Sequence, residues 1–102
     1  MDQKMNQIRN KELINIIACR KGGRTTLKII DELLEKPQNA NQLSKKLKLN
    51  YNTITHHIKI INDHEYIIKT ELNKQYYYYP SKKLLNNMQE YKNIKTFINN
   101  KK

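Results

Sequence analysis

Tryptophan is absent from this sequence, phenylalanine and cysteine occur once each, and glycine and proline twice each. The single cysteine, Cys19, rules out an intramolecular disulfide. It suits a reducing cytoplasm and reads as a buried thiol. The glycines both stand in "KGGRTT", which lacks the spacing and the terminal Lys-Ser/Thr of a phosphate-binding loop. No apolar run approaches the ~20 residues of a membrane span. The polar opening "MDQKMNQIRNKE" has no signal-peptide apolar region. A cytoplasmic chain with no membrane association is therefore expected. No nucleophile–base–acid set and no paired carboxylates can be picked out, so the chain does not read as an enzyme, no catalytic residue is assigned and no cofactor is expected.

Acids are also scarce. The chain has 9 Asp and Glu against 20 Lys and Arg, a net charge of +11. Such a charge attracts a polyanion. A composition rich in Lys, Asn and Ile explains the number of cations but not their placement, so placement has to decide. The 102 residues fit one domain, and with 37% apolar residues the core must be economical. Stability should be modest or shared with a partner subunit.

From Asn6 to Cys19 the apolar positions Ile8, Leu13, Ile14, Ile16, Ile17 and Ala18 give a helix with one broad apolar face, ended by Gly22-Gly23. A second helix is predicted from about Thr25 to Lys36, capped by Thr25 or Thr26 and stopped by Pro37. "NANQLSKKLKLN" is a shorter helix with Asn39 as N-cap. Asn50 then caps a helix with apolar positions Ile54, Ile58 and Ile61. "YIIKTEL" and "QYYYYP" read as a two-stranded hairpin turning at Asn73-Lys74. Within the tyrosine run, two rings should face inward and two outward. Ser81 can cap a last helix carrying Leu84, Leu85, Met88, Tyr91, Ile94, Phe97 and Ile98.

Two short helices joined by a tight turn match the helix-turn-helix signal, in which the second helix enters the major groove of DNA. Ile54, Ile58 and Ile61 fall within about 60° of each other around the helix. Asn52, His56 and Lys59 occupy the opposite arc, Thr55 lies at its edge, and Tyr51 and Thr53 project near the N-terminus. Asn can pair with adenine, Thr can touch a thymine methyl, and His and Lys can donate to guanine or phosphate. Backbone contacts are expected from Arg24 in the basic loop with Arg20 and Lys21, from Ser44, Lys45 and Lys48 around the turn, and from Lys69 and Lys74 on the hairpin. A helix-turn-helix followed by such a hairpin is a winged helix. The fold class expected is mainly α with a small β-hairpin wing, extended by N- and C-terminal helices. As one domain over 1–102, it divides into an N-terminal helix (1–20), a core (24–80) and a C-terminal helix (81–100).

"TITHHIKIINDHEYI" resembles the recognition helix of ArsR-type winged-helix repressors and their archaeal relatives. Ile54-Thr55-His56-His57-Ile58-Lys59-Ile60-Ile61 stands in register with their Val-Ser-His-His-Leu-Lys-Val-Leu. "GGRTTLKIIDELL" is similar to the family's first core helix and "NANQLSKKLKLN" to its support helix, so the resemblance spans roughly 22–79. Glu65 stands where the family has a turn glycine, and Thr26 where it often has Arg. Metal-sensing relatives use a Cys-x-Cys pair in the support helix or His and acids in the last helix. This chain has neither arrangement, and no metal site is assigned. Adjacent on a helix, His56 and His57 diverge, so His57 reads as a packing residue.

The expected function is sequence-specific binding of double-stranded DNA by a transcriptional regulator, with the recognition helix in the major groove and the wing on the backbone. The alternative is a winged-helix interaction module of a larger transcription or replication assembly. Binding of RNA or a single strand through exposed tyrosines is a third reading. The apolar excess at Leu84, Met88, Tyr91, Ile94 and Ile98 suggests homodimerisation with the first helix across a two-fold axis, the alternative being that both helices close one monomer's core.

Overall fold

A computed structural model describes residues 10–18 and 21–100. Ile8, Cys19 and Arg20, singled out above, lie outside the described residues. Numbered from the first described element, the chain runs α1 (Lys11–Ile17), α2 (Gly23–Glu35), β1 (Gln38–Asn39), α3 (Ala40–Leu47), α4 (Tyr51–Asp63), β2 (Ile67–Leu72), β3 (Gln75–Pro80), α5 (Lys82–Leu85) and α6 (Met88–Asn100). This is a winged helix-turn-helix, mostly helical with a small antiparallel sheet.

Each helix start has a local cause. The Asn10 side chain accepts from Leu13 N–H at α1. At α3, Asn39 and Gln42 form a reciprocal capping box, with bonds of 2.8 and 2.9 Å. Asn50 accepts from Asn52 N–H at α4, and Ser81 accepts from Leu84 N–H at α5. The exception is α2, which begins at Gly23 behind a left-handed Gly22 with no side-chain cap, not at Thr25 or Thr26. Thr26 is buried and gives its hydroxyl to long-range structure instead: its Oγ1 lies 2.9 Å from His57 Nδ1 on α4. The glycine pair also permits close approach. A Cβ on Gly23 would lie 1.8 Å from the Ile17 carbonyl oxygen.

The wing is larger than expected. Besides the β2–β3 hairpin, Gln38 and Asn39 pair with Tyr78 and Tyr77, giving the order β1-β3-β2. Pro37 drives the preceding Lys36 into extended backbone, which aims the next residues along β3. Asn73 and Lys74 both have positive φ, 54° and 65°, the geometry of a two-residue type I′ turn. Glu65 also keeps the left-handed conformation, with φ 65°, that the family's glycine would supply.

The last helix is broken. In a continuous helix Asn87 N–H would bond the Lys83 carbonyl, but the Asn87 side chain takes that carbonyl at 2.7 Å. Its N–H turns to Leu84 O, and α6 starts afresh at Met88. Both helices close the chain's own core. Leu84, Tyr91, Ile94 and Ile98 are buried with Leu13, Ile17, Leu27 and Ile30, and only Met88 of the proposed dimer set stays half-buried. Within the single chain these residues pack into the core with α1 and α2, and homodimerisation stays a proposal. Tyr91 donates 2.6 Å to Asp31 on α2, and burial followed by that carboxylate pushes its hydroxyl's pKa upward. Among the described residues no helix is long and apolar enough to cross a membrane.

Candidate nucleic-acid interface

Ile54, Ile58 and Ile61 bury one side of α4 in the core. The opposite side therefore points outward, and Tyr51, Asn52, His56 and Lys59 are exposed there. Thr53 and Thr55 are half-buried, and Thr55 donates back to Asn52 O at 3.1 Å. The two histidines separate as their spacing implies. Their rings meet edge to face at 5.6 Å, but His56 is exposed whereas His57 is 6% exposed against Thr26. Among the described residues no three His, Cys, Asp or Glu side chains converge as a metal site.

Lysines frame this surface. Lys45 is exposed in the last turn of α3, and Lys48 ends it in left-handed backbone. Lys69 and Lys74 are exposed on the wing, and Lys69 Nζ sits 4.0 Å above the Tyr76 ring. Three sequence-derived candidates are otherwise engaged. Ser44 donates its hydroxyl to Leu49 O at 2.5 Å, closing the turn between the helices. Arg24 donates to Ile98 O at 3.3 Å and shares a groove with Lys28 and Lys95, not with α4. Lys59 pairs with Asp63 at 2.9 Å, so a carboxylate sits on the reading face.

Two clefts flank Tyr78 where the wing meets α4. The first, about 240 Å³, lies between the starts of α3 and α4 and the wing, with Asn41, Tyr51, Thr55, Lys74, Tyr76 and Tyr78 among its walls. The second, about 260 Å³, lies along α4 and includes Lys59, Asp63 and Lys69. Asn39 Nδ2 donates 2.8 Å to Gln75 Oε1, tying the start of α3 to the wing. Tyr78 packs on the core from β3. Burial, then the neighbouring Tyr51 and Tyr76 hydroxyls, raises its pKa, so it remains a hydrogen-bond donor. The expected division of the tyrosine run into two inward and two outward rings is only partly seen: Tyr76 and Tyr79 are exposed, Tyr77 and Tyr78 half-buried. β3 pairs on both sides at this point, and of the four rings Tyr78 packs on the core.

Sequence reasoning missed the polar cluster behind α4. Glu12 on α1 accepts from Tyr66 (2.8 Å) and lies 2.8 Å from both His64 Nδ1 and Lys83 Nζ. Lys83 beside it, then His64 and Tyr66, hold the Glu12 carboxyl at a pKa of about 2. Burial and Glu12 push Tyr66 up to about 12. These partners lie 52 to 71 residues apart from Glu12, beyond the reach of any local pattern.

The family model described as "Bacterial regulatory protein, arsR family" matches residues 24–69, from α2 to the first half of the wing. The resemblance read in "TITHHIKIINDHEYI" is therefore shown by this match. By fold the chain is similar to a transcriptional regulator, HlyU from Vibrio vulnificus, at 17% identity and TM-score 0.67, over 99% of this chain and 96% of that one. It is similar to reduced HlyU from Vibrio cholerae at 18% identity and TM-score 0.61, over 78% and 79% of the two chains. It is also similar to NolR from Sinorhizobium fredii at 15% identity and TM-score 0.58, over 86% and 87%. No curated protein matches it by sequence.

Proposed function

We propose that this chain, an ArsR-like winged helix-turn-helix protein, is a sequence-specific double-stranded DNA-binding regulator of transcription acting as one domain over 1–102. The observation that carries the reading is the outward arc of α4. Asn52, His56 and Lys59 stand exposed on a helix whose other side is fixed by three buried isoleucines, with Lys45 and Lys48 at one end and Lys69 and Lys74 on the wing. The arc lies in the major groove, Tyr51, Thr53 and Thr55 border it, and the lysines meet phosphates on either side.

A homodimer on a pseudo-palindromic site completes the reading, with two α4 helices about 34 Å apart. Leu85, 52% exposed, and half-buried Met88 supply surface on the last helices for such an assembly. Selection of bound duplexes from a random pool tests the function. An enriched, two-fold related motif is expected, with binding that falls steeply with salt. No retention of any duplex at low salt would refute it and favour an interaction module.

A further inference from the structure

The two clefts beside Tyr78 differ in charge, and the difference says what each can hold. The second contains the Asp63 carboxylate, which repels an anion. The first has no acidic side chain in its lining. It has the Lys74 ammonium, the Asn41 amide and the hydroxyls of Tyr51, Tyr76 and Tyr78, drawn from α3, α4 and the wing. At about 240 Å³ it falls below the range of roughly 300–1,000 Å³ usual for pockets that enclose an organic ligand. It is open to the same side as the α4 reading face, since Tyr51 and Thr55 line it.

Resting on the DNA-binding reading above, we infer that this cleft seats one phosphodiester of the DNA backbone, gripped by Tyr51, Tyr76 and Tyr78 hydroxyls, the Asn41 amide and Lys74. Neutral donors outnumber the cation here. Uncharged hydroxyls and amides hydrogen-bond a phosphate oxygen directly and fix its position, whereas lysine acts as a point charge. The Tyr78 ring is held by the core and its hydroxyl stays protonated through the physiological range. The cleft walls are pre-set as well, because Asn39 bridges the start of α3 to Gln75 on the wing at 2.8 Å. The strand therefore enters at a set point, and this contact fixes how far α4 slides along the groove.

The test is fluorescence anisotropy with a random duplex, over a series of salt concentrations, since the contact is independent of sequence. Tyr78→Phe and Tyr51→Phe each remove one hydroxyl and little else, and Asn41→Ala acts at an exposed position. Each should weaken binding on the order of tenfold without changing the salt slope. Lys74→Ala should weaken binding and reduce the slope by about one. A selected duplex with a single methylphosphonate linkage at the contacted phosphate should lose clearly less affinity with Tyr78→Phe/Asn41→Ala than with wild type. Wild-type affinity in all three neutral variants, with wild type still binding DNA, overturns the phosphodiester assignment alone. Failure of wild type to bind any duplex overturns the DNA reading and the assignment with it. Replacing chloride by inorganic phosphate at matched ionic strength should leave wild-type affinity unchanged. A loss confined to proteins with an intact cleft identifies a free-phosphate site and overturns the assignment.

Discussion

Lys59 Nζ lies 2.9 Å from Asp63 Oδ2, one turn further along α4, with both side chains well exposed. A cation expected to meet DNA is thus partly neutralised by its own helix. Asp63→Asn should tighten DNA binding several-fold at low salt, with the gain shrinking as salt rises. The exposed pair is worth only about 0.2–1 kcal/mol, so thermal stability should barely move. Paired salt titrations of wild type and variant check this, and an unchanged affinity at low salt would place Lys59 outside the interface.

The two adjacent histidines should behave oppositely. His57→Ala leaves the buried Thr26 hydroxyl without its 2.9 Å partner and opens a cavity, so unfolding free energy should fall by about 2–4 kcal/mol. His56→Ala should leave stability intact and cost roughly 1–3 kcal/mol on a selected site, with little change on random DNA. Urea unfolding and binding measured on both variants separate the two roles. Equal losses on selected and random duplex would make His56 a positioning contact only.

Stability should decline at both ends of the pH scale for nameable reasons. Glu12 is held at a pKa of about 2, well below the ordinary carboxylate value of 4.5. Its stabilising contribution is therefore present above 4.5 and lost as pH falls through about 2. Tyr66 is raised from 10.0 to about 12, so its contribution is present below 10 and lost as pH rises through about 12. Glu12→Gln should flatten the acid limb, and Tyr66→Phe the alkaline one, in urea midpoints recorded against pH. An acid limb unchanged in Glu12→Gln would mean that other carboxylates set it.

Glu65 occupies left-handed backbone at φ 65° with a Cβ that disfavours it. Glu65→Gly should raise stability by up to about 1 kcal/mol. Differential scanning calorimetry reads this as a higher midpoint, and a lower midpoint would mean that the Glu65 side chain has a role the backbone does not disclose.

Ile94 is fully buried in the single chain and Leu85 is 52% exposed. Ile94→Ala should cost about 2–5 kcal/mol of stability, whereas Leu85→Ala should stay within about 0.5 kcal/mol. Sedimentation of Leu85→Ala beside wild type at tens of micromolar then examines assembly without disturbing the core. An Ile94→Ala protein of wild-type stability that only loses self-association would return that residue to a subunit interface.

These contrasts mark where the amino-acid order was informative. Caps at Asn39, Asn50 and Ser81, the isoleucine spacing of α4 and the Asn73-Lys74 turn are decided within a few residues, and all were readable. What escaped was decided by distant partners. Thr26, read as a cap, instead serves His57, 31 residues away. The apolar stripe of the last helix was visible, but whether it met its own α1 or another molecule depended on a tertiary path that periodicity does not encode. In the candidate interface the exposed face was legible from phase alone. The engagement of Arg24 by Ile98, 74 residues away, was not, nor was the meeting of Asn41, Tyr51 and Tyr78 in one cleft; the Lys59–Asp63 and Ser44–Leu49 pairs are local and were within reach of the sequence.

Asn39 is the last residue of β1, the N-cap of α3 and, through its amide, the anchor of Gln75. The start of α3 is thus joined to the wing through both backbone pairing and a side-chain bond. If α4 faces bases and the wing holds the backbone as proposed, the interval between them is set by the fold, a ruler cut in base pairs. Duplexes of ordinary pitch match it as they are. On the proposed DNA-bound reading, overwound, underwound or A-form duplexes would have to deform to meet it, so affinity should depend on helical pitch.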